Sequence, residues 1–452
     1  MTYLSGELSS GASAVSYDGK IVVGNSRLSS TVIHAFRWID GMGTDLGALT
    51  GGTYEVSQAS DMSADGMIVV GVSYDAALKT HAVRWDENGK LRLISDLLSQ
   101  GGVDISGWTL TDAMAISNDG MVIMGSGAIS NAGGVWIAHC VDACKEADPV
   151  MAIITPQTAG ESFSGLGALG ATASTYLGTE IDTAGDMAAQ GKNGGLTGYA
   201  YGAFDSDPTT SATVGVTYGI GPNVTIAGSL GIAGIRTLMP FNGSATFFGP
   251  AATLALASRP SSGFDWLLGG ALVGVNGTVA RGYLNGNTPV TSSGSTFGDG
   301  AGFTAQAGWT FDDLVADTLV TPFVNVSLSS MSFAGYTETG GPFPATFSAF
   351  TTSSTLVTFG VEARREFRKD SWVSASIGYS HNLGNGGTIA GTLVGIPLAV
   401  PGAAPIADFV EASIGLDMPI NETINFTGRL AAIIPFGGTP SVQARAGVTM
   451  AF

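Results

Sequence analysis

Three observations predict an all-β protein: a C-terminal twelve-stranded antiparallel transmembrane barrel with a pore helix, preceded by an incomplete array of β-propeller-like repeats. Mean hydropathy is positive at +0.30, yet no stretch reaches the roughly 18 consecutive apolar residues of a membrane-spanning helix; the longest candidate, 266–275, stops at Asn276. Glycine supplies 67 of 452 residues, which suits strands, bulges and tight turns and weakens helices. The last residues alternate strictly, with Val442, Ala444, Ala446, Val448, Met450 and Phe452 on one face and Gln443, Arg445, Gly447, Thr449 and Ala451 on the other. A period of two with one apolar and one polar or small face describes a strand that separates lipid from water.

The first 139 residues carry a repeat. The run Val15-Ser16-Tyr17-Asp18-Gly19-Lys20-Ile21-Val22-Val23-Gly24 returns at 62–71 with Asp65 and Gly66, and again at 116–125 with Asp119 and Gly120. Gly24, Gly71 and Gly125 stand 47 and 54 residues apart. Each Asp-Gly reads as a hairpin turn and each following aliphatic run as a buried strand. A second strand then ends on Trp38, Trp85 or Trp136, large enough to seal against the next unit. A period near 47 suits a propeller blade, but propellers need four to eight blades. Leu4 to Gly11 reads as the tail of an earlier unit, and no basic region or apolar core of a leader follows Met1; upstream blades are therefore expected.

Residues 140–194 read as a linker and pore helix, the helical character falling at 168–190. Residues 195–452 divide into twelve strand-like segments: 196–204, 211–220, 223–235, 245–258, 265–281, 301–311, 319–333, 355–367, 372–383, 409–419, 423–434 and 442–452. Short turns alternate with long loops at 282–300, 334–354 and 384–408, the pattern of periplasmic turns and extracellular loops. Along these strands Val357, Phe359, Val361 and Ala363 are expected to face lipid and Glu362, Arg364 and Glu366 the lumen; Glu411, Asp417, Arg429 and Arg445 are assigned to the lumen in the same way. An arginine on the lipid face would cost about 2–4 kcal/mol at midplane, which decides each strand's direction.

Only 12% of residues are charged and the formal net charge is -18, which argues against nucleic acid, whose phosphates demand basic clusters. Cys140 and Cys144 are spaced for a small disulfide loop in an oxidising compartment. Gly165-Leu166-Gly167-Ala168-Leu169-Gly170, with Asp182 and Asp186 downstream, matches a dinucleotide fingerprint by letters only, because no strand leads into it. The paired positions of His34 and His81 suit hydrogen bonding within repeats, while His139 and His381 stand alone. The repeated Asp18, Asp65 and Asp119 fit Asp-Gly turns that form without calcium. No Ser-His-acid, HExxH or GxSxG frame stands out. The expectation is a chain without enzymatic activity, cofactor or metal.

The triplet His34-Ala35-Phe36, its partner His81-Ala82-Val83, and Asp45-Leu46-Gly47-Ala48-Leu49 resemble the HAF-repeat family of secreted and surface proteins. Phe452, with Met450 and Val448 on its face, resembles the signal by which bacterial outer-membrane barrels are recognised for assembly. Together the barrel, the helix before it and the repeats resemble an autotransporter of type V secretion. That resemblance implies a helix inside the barrel and partners comprising outer-membrane lipid, the barrel assembly machinery and a host or environmental surface ligand of the repeats. It implies export and surface anchoring of the chain's own N-terminal repeats, with a binding or adhesive role. Two other readings are a passive pore plugged or decorated by the repeats and a hydrolase in the repeat region. Some autotransporters cleave their passenger at an asparagine in the pore; Asn193 is the nearby candidate, without the paired asparagines of that subfamily.

Overall fold

The computed structural model describes residues 7–142, 144–189, 194–206, 209–221, 223–315 and 317–452. Asn193 lies outside them. The chain divides into two compact units: Met1–Glu161 with Tyr283–Ser292 and Gly340–Pro344, and Ser162–Gly282 with Ser293–Thr339 and Ala345–Phe452.

The first unit holds the repeats, each a four-stranded antiparallel meander. The strands are Ser9–Val15, Ile21–Arg27, Val32–Ile39 and Met42–Asp45; then Glu55–Met62, Val69–Tyr74, Thr80–Trp85 and Leu91–Leu93; then Trp108–Ile116, Val122–Ile129, Ala132–Cys140 and Met151–Ile154. A short parallel bridge from Val32 and Ile33 to Glu55 and Val56 joins the first two meanders into one eight-stranded sheet, while the third forms its own sheet. A helix, Ile94–Gln100, lies between the second and third meanders and accounts for the longer second spacing.

The repeated sequence builds the same turn three times. Ser16, Ser63 and Ser117 each donate a hydroxyl to the aspartate two residues on, and each of those carboxylates accepts the next backbone N–H but one: Lys20, Met67 and Met121. The following glycines sit at φ +74, +69 and +77, the left-handed region that side chains disfavour. For Asp65, burial opposes the charge, but hydrogen bonds from Lys145, Ser63 and the Met67 amide outweigh it and hold the carboxyl down to about 2.

Trp38, Trp85 and Trp136 are all buried, and the second and third of them face backwards. Trp85 packs with Val23, Ala35 and Leu46 of the preceding unit and donates its indole N–H to Leu46 O at 2.8 Å. Trp136 packs with Ile68, Val70 and Ala82 of the second unit. The expected seal against the next unit is therefore a seal against the previous one, because that neighbour covers this face of the third strand. The arginine before each of the first two tryptophans reaches the other way. Arg37 donates to the carbonyls of Gly66, Asp86 and Glu87, and Arg84 to those of Cys144 and Glu146.

The expected repeat boundary at 139 falls inside a strand. Ile137–Cys140 pair with Met151–Ile154, so the third meander closes within the supposed linker. A disulfide joins Cys140 and Cys144, with Cα atoms 5.6 Å apart. Lys145 bonds Asp65 at 2.7 Å and Asp148 bonds Arg92 at 2.6 Å. The segment reads as a linker from its small residues; its structure comes from contacts distant in sequence. His34 and His81 pair with Asp45 and Asp75, at 2.8 and 3.0 Å.

His139 is the group of this unit whose shift bears on mildly acidic pH in the destabilising sense. Its Nδ1–H donates to Pro342 O at 2.8 Å, and burial pushes its pKa below the ordinary 6.5 against the weaker opposing pull of that carbonyl and of Asp119. The unfolded chain therefore takes up the proton first as pH falls, so this contribution to stability is present above about pH 6.5 and is lost towards the lower folded value. His34 works in the opposite sense, since its hydrogen bond to Asp45 raises its pKa. His139→Gln is expected to flatten the decline in stability of this unit between about pH 6.5 and 5, read by limited proteolysis across that range; an unchanged slope would place the sensitivity elsewhere.

The second unit is a closed barrel of twelve strands: Leu196–Asp205, Thr209–Gly219, Val224–Met239, Gly243–Ser258, Gly263–Asn285, Thr288–Val315, Thr318–Phe333, Phe350–Arg368, Ser371–Asn382, Asp408–Pro419, Ile424–Pro435 and Ser441–Ala451. The tip of its fifth–sixth strand hairpin belongs to the first unit. Closure is antiparallel, from Thr197 opposite Ala451 to Asp205 opposite Gln443. The strands are inside out relative to a soluble sheet: Val214, Leu230, Leu272 and Ile414 are exposed, while Thr213, Thr217, Ser229 and Ser413 are buried. In the closing strand Val448, Met450 and Phe452 point outward and Gln443 and Thr449 inward. That is the distribution a lipid-facing exterior requires. Among the described residues no helix is long and apolar enough to cross a membrane.

Two expectations about the loops change. The predicted loop 282–300 is strand almost throughout, because the fifth and sixth strands continue to Asn285 and resume at Thr288; its Thr, Ser and Gly residues read as loop by composition yet pair as a hairpin. The loops at 334–354 and 384–408 contribute Tyr336–Thr337, Ala345–Phe347, Thr388–Leu393 and Ile396–Pro401, which form a separate four-stranded sheet.

Candidate functional site

The barrel lumen holds a helix, Gly167–Ala189. Its apolar residues Tyr176, Leu177, Ile181, Ala184, Met187 and Ala188 are buried, and the last three pack on Tyr199, Tyr201, Ala227, Ala255 and Leu267 of the wall. The spurious dinucleotide fingerprint has a packing explanation. A Cβ at Gly170 would meet Thr352 Oγ1 at 1.6 Å, so the glycine permits close approach of helix to wall.

Polar contacts hold the helix along its length. Thr237 donates to Thr172 at 3.0 Å; Tyr201 and Thr213 both donate to Glu180, the latter at 3.1 Å. Lower down the chain, Asp186 is gripped from two strands, by Arg259 at 3.1 Å and Arg429 at 3.0 Å. Arg445 donates to Thr183 Oγ1 at 3.2 Å. A charge in a restricted, low-dielectric space needs such partners. Beside the helix lies a cavity of about 330 Å³ whose lining includes Asp182, Asp205, Arg259, Glu362, Glu411 and Arg445.

A second cluster lies where the chain enters this helix. Arg281 and Glu338 form an ion pair at 2.8 Å, with side chains only 1% and 0% exposed. Arg281 also donates to Ser162 Oγ at 3.0 Å and lies 5.4 Å from the centre of the Phe163 ring. Glu338 accepts the Ala345 amide at 3.0 Å, and Phe163 packs on Phe347 at 4.6 Å. The cluster clamps residues 162–163, immediately before the helix.

The lumenal residues assigned from sequence separate on inspection. Glu362 lies 3.9 Å from Arg259 and lines the cavity with Glu411. Arg429 joins Asp186 and also donates to Ser376 and Ser413. Arg445 reaches the helix, and Arg364 and Asp417 are half-buried on their strands. Glu366 does not line the pore: exposed at the strand's end, it accepts the Asp370 backbone N–H at 2.7 Å and organises a turn. Asp186, Glu180, Arg259, Arg281 and Glu338 were not among the assigned residues. Arg259 reads as part of a turn and Glu338 as part of a loop, and only the paired acids Asp182 and Asp186 on a weakly polar helix carried a signal. Among the described residues no cluster of three or more His, Cys, Asp or Glu is arranged to hold a metal.

A sequence model of the autotransporter beta-domain matches residues 181–431. Among solved structures, the chain is similar to the translocator domain of the autotransporter NalP from Neisseria meningitidis, at 15% identity and TM-score 0.49, covering 61% of this chain and 94% of that one. It is also similar to the beta domain of the Bordetella autotransporter BrkA, at 14% identity and TM-score 0.38, covering 57% and 99%, and to the Pseudomonas putida toluene transporter TodX, at 12% identity and TM-score 0.32, covering 57% and 87%. No curated protein sequence matches the chain significantly. With the profile match spanning more than half of its length, and with a closed barrel and lumenal helix, the chain belongs to the autotransporter beta-domain family, whose outer-membrane barrels serve secretion.

Proposed function

We propose that this barrel exports its own N-terminal repeats, anchors them and displays them at the bacterial surface, where they bind a ligand rather than catalyse a reaction. The observation that carries this reading is the lumenal helix: the chain runs from the repeats through residues 162–163 into a helix held to the barrel wall by Asp186, Glu180 and Thr183. A helix so bonded is a resting plug that keeps the chain attached after passage. The binding role rests on the turn that the repeats build three times over, an architecture of recurring units. Outer-membrane lipid contacts the outward valines, leucines and phenylalanines, and the assembly machinery reads the strand ending at Phe452.

Protease treatment of intact cells tests the reading. Loss of the repeats with retention of a heat-modifiable barrel is the expected result. Full protection of the repeats in intact cells, with cleavage after lysis, would overturn it in favour of a passive pore.

A further inference from the structure

The tip of the hairpin between the fifth and sixth barrel strands is a structural part of the third repeat. The sheet of that repeat runs from Trp108–Ile116 to Met151–Ile154, which is its last strand. Unpaired sheet edges are unfavourable and are covered or blunted in native proteins. Here the edge is met by the hairpin tip: Ile153 N donates to Asn285 Oδ1 at 2.9 Å, and Gly286 N donates to Ile153 O at 2.9 Å.

The next residue binds a second part of the same repeat. Asn287 N donates to Asp104 O at 2.9 Å, its Nδ2 to Ser106 O at 3.0 Å, and its Oδ1 accepts the Trp108 indole N–H at 3.0 Å. This side chain thus uses both its donor and its acceptor. Gly286 sits at φ +61, and a Cβ there would stand 2.2 Å from Asp104 O, so the approach is closed to any larger residue. A second loop segment meets the same repeat through His139, which donates to Pro342 O and lies 5.8 Å, ring to ring, from Phe343. Phe343 N in turn donates to Tyr283 Oη at 3.0 Å, tying the two segments together.

We propose that these two loop tips, 283–292 and 340–344, are a built-in docking template: the barrel sequence supplies the edge that the third repeat lacks, and that repeat is completed only against them. The proposal rests on the export reading for its purpose, since an exported chain would find its folding partner already presented by the barrel's own loops. The last repeat is then held by two loop tips in addition to its own chain connection.

Asn287→Ala and Asn285→Ala test this in the purified full-length protein in detergent, each removing side-chain hydrogen bonds without altering the hairpin's backbone. Limited proteolysis is followed at sites within the second and third repeats, with the heat-modifiable band reporting barrel integrity. The expected result is about tenfold faster cleavage in the third repeat, from easier local opening, with the second repeat and the barrel unchanged. Unaltered cleavage of the third repeat, or equal acceleration in both repeats, would overturn the proposal. The assay requires no export, so repeats that prove inaccessible on intact cells would sink the display reading without changing this result.

Discussion

Glu338→Gln is expected to destabilise the folded barrel by about 3–5 kcal/mol, because removal of one partner leaves a buried charge uncompensated. The partner of the lost charge is Arg281, whose side chain is 1% exposed and whose geometry is set by the carboxylate on one side and Ser162 on the other. The change should appear as a lower temperature at which the compact band converts to the unfolded one. A paired replacement, Arg281→Met with Glu338→Leu, should recover most of the loss, because an apolar pair carries no desolvation cost. A single Glu338→Gln protein as stable as the parent would show that water reaches Arg281 and that the cluster is not a clamp.

Asp186→Asn should have the next largest effect. It removes the carboxylate that Arg259 and Arg429 share and leaves Glu362, 3.9 Å from Arg259, as the remaining ion-pair partner of that arginine. The side chain retains 21% exposure, so the loss is expected to be smaller, about 2 kcal/mol. The more specific readout is conductance. With the helix released from two strands, the purified protein in a planar bilayer should pass more current, while the number of strands and the heat-modifiable band persist. Unchanged conductance would mean that the apolar packing of Ala184, Met187 and Ala188, with the contacts to Thr172, Glu180 and Thr183, holds the helix without Asp186.

Much of the barrel was legible in the sequence because its governing constraint is local. A strand between lipid and water must alternate, and alternation is visible within ten residues: Val357, Phe359 and Val361 against Thr358 and Glu362 give the direction of a strand without reference to its neighbours. The pairing of consecutive strands then follows from short connections. The lumen was partly legible for the same reason. Glu362, Glu411, Arg429 and Arg445 lie on the inward parity of their strands, and each contributes to the cavity or the helix contacts. Glu366 has the same parity, but it stands past the end of the pore, and parity carries no information about depth.

What the sequence by itself determined was therefore periodic: twelve alternating strands, a helix before them and three serine–aspartate–glycine turns, each set by interactions among residues near one another in the chain. Only the tertiary structure decided which distant groups meet. Asp186 finds Arg429 243 residues away, Arg281 finds Glu338 across a loop, and Asn287 finds Trp108 179 residues earlier. It also decided that Trp85 and Trp136 turn towards the preceding repeat and that part of an apparent linker becomes the fourth strand of the third repeat. These outcomes depend on desolvated charges and unsatisfied backbone groups seeking partners, a requirement that holds in space and leaves no period in sequence.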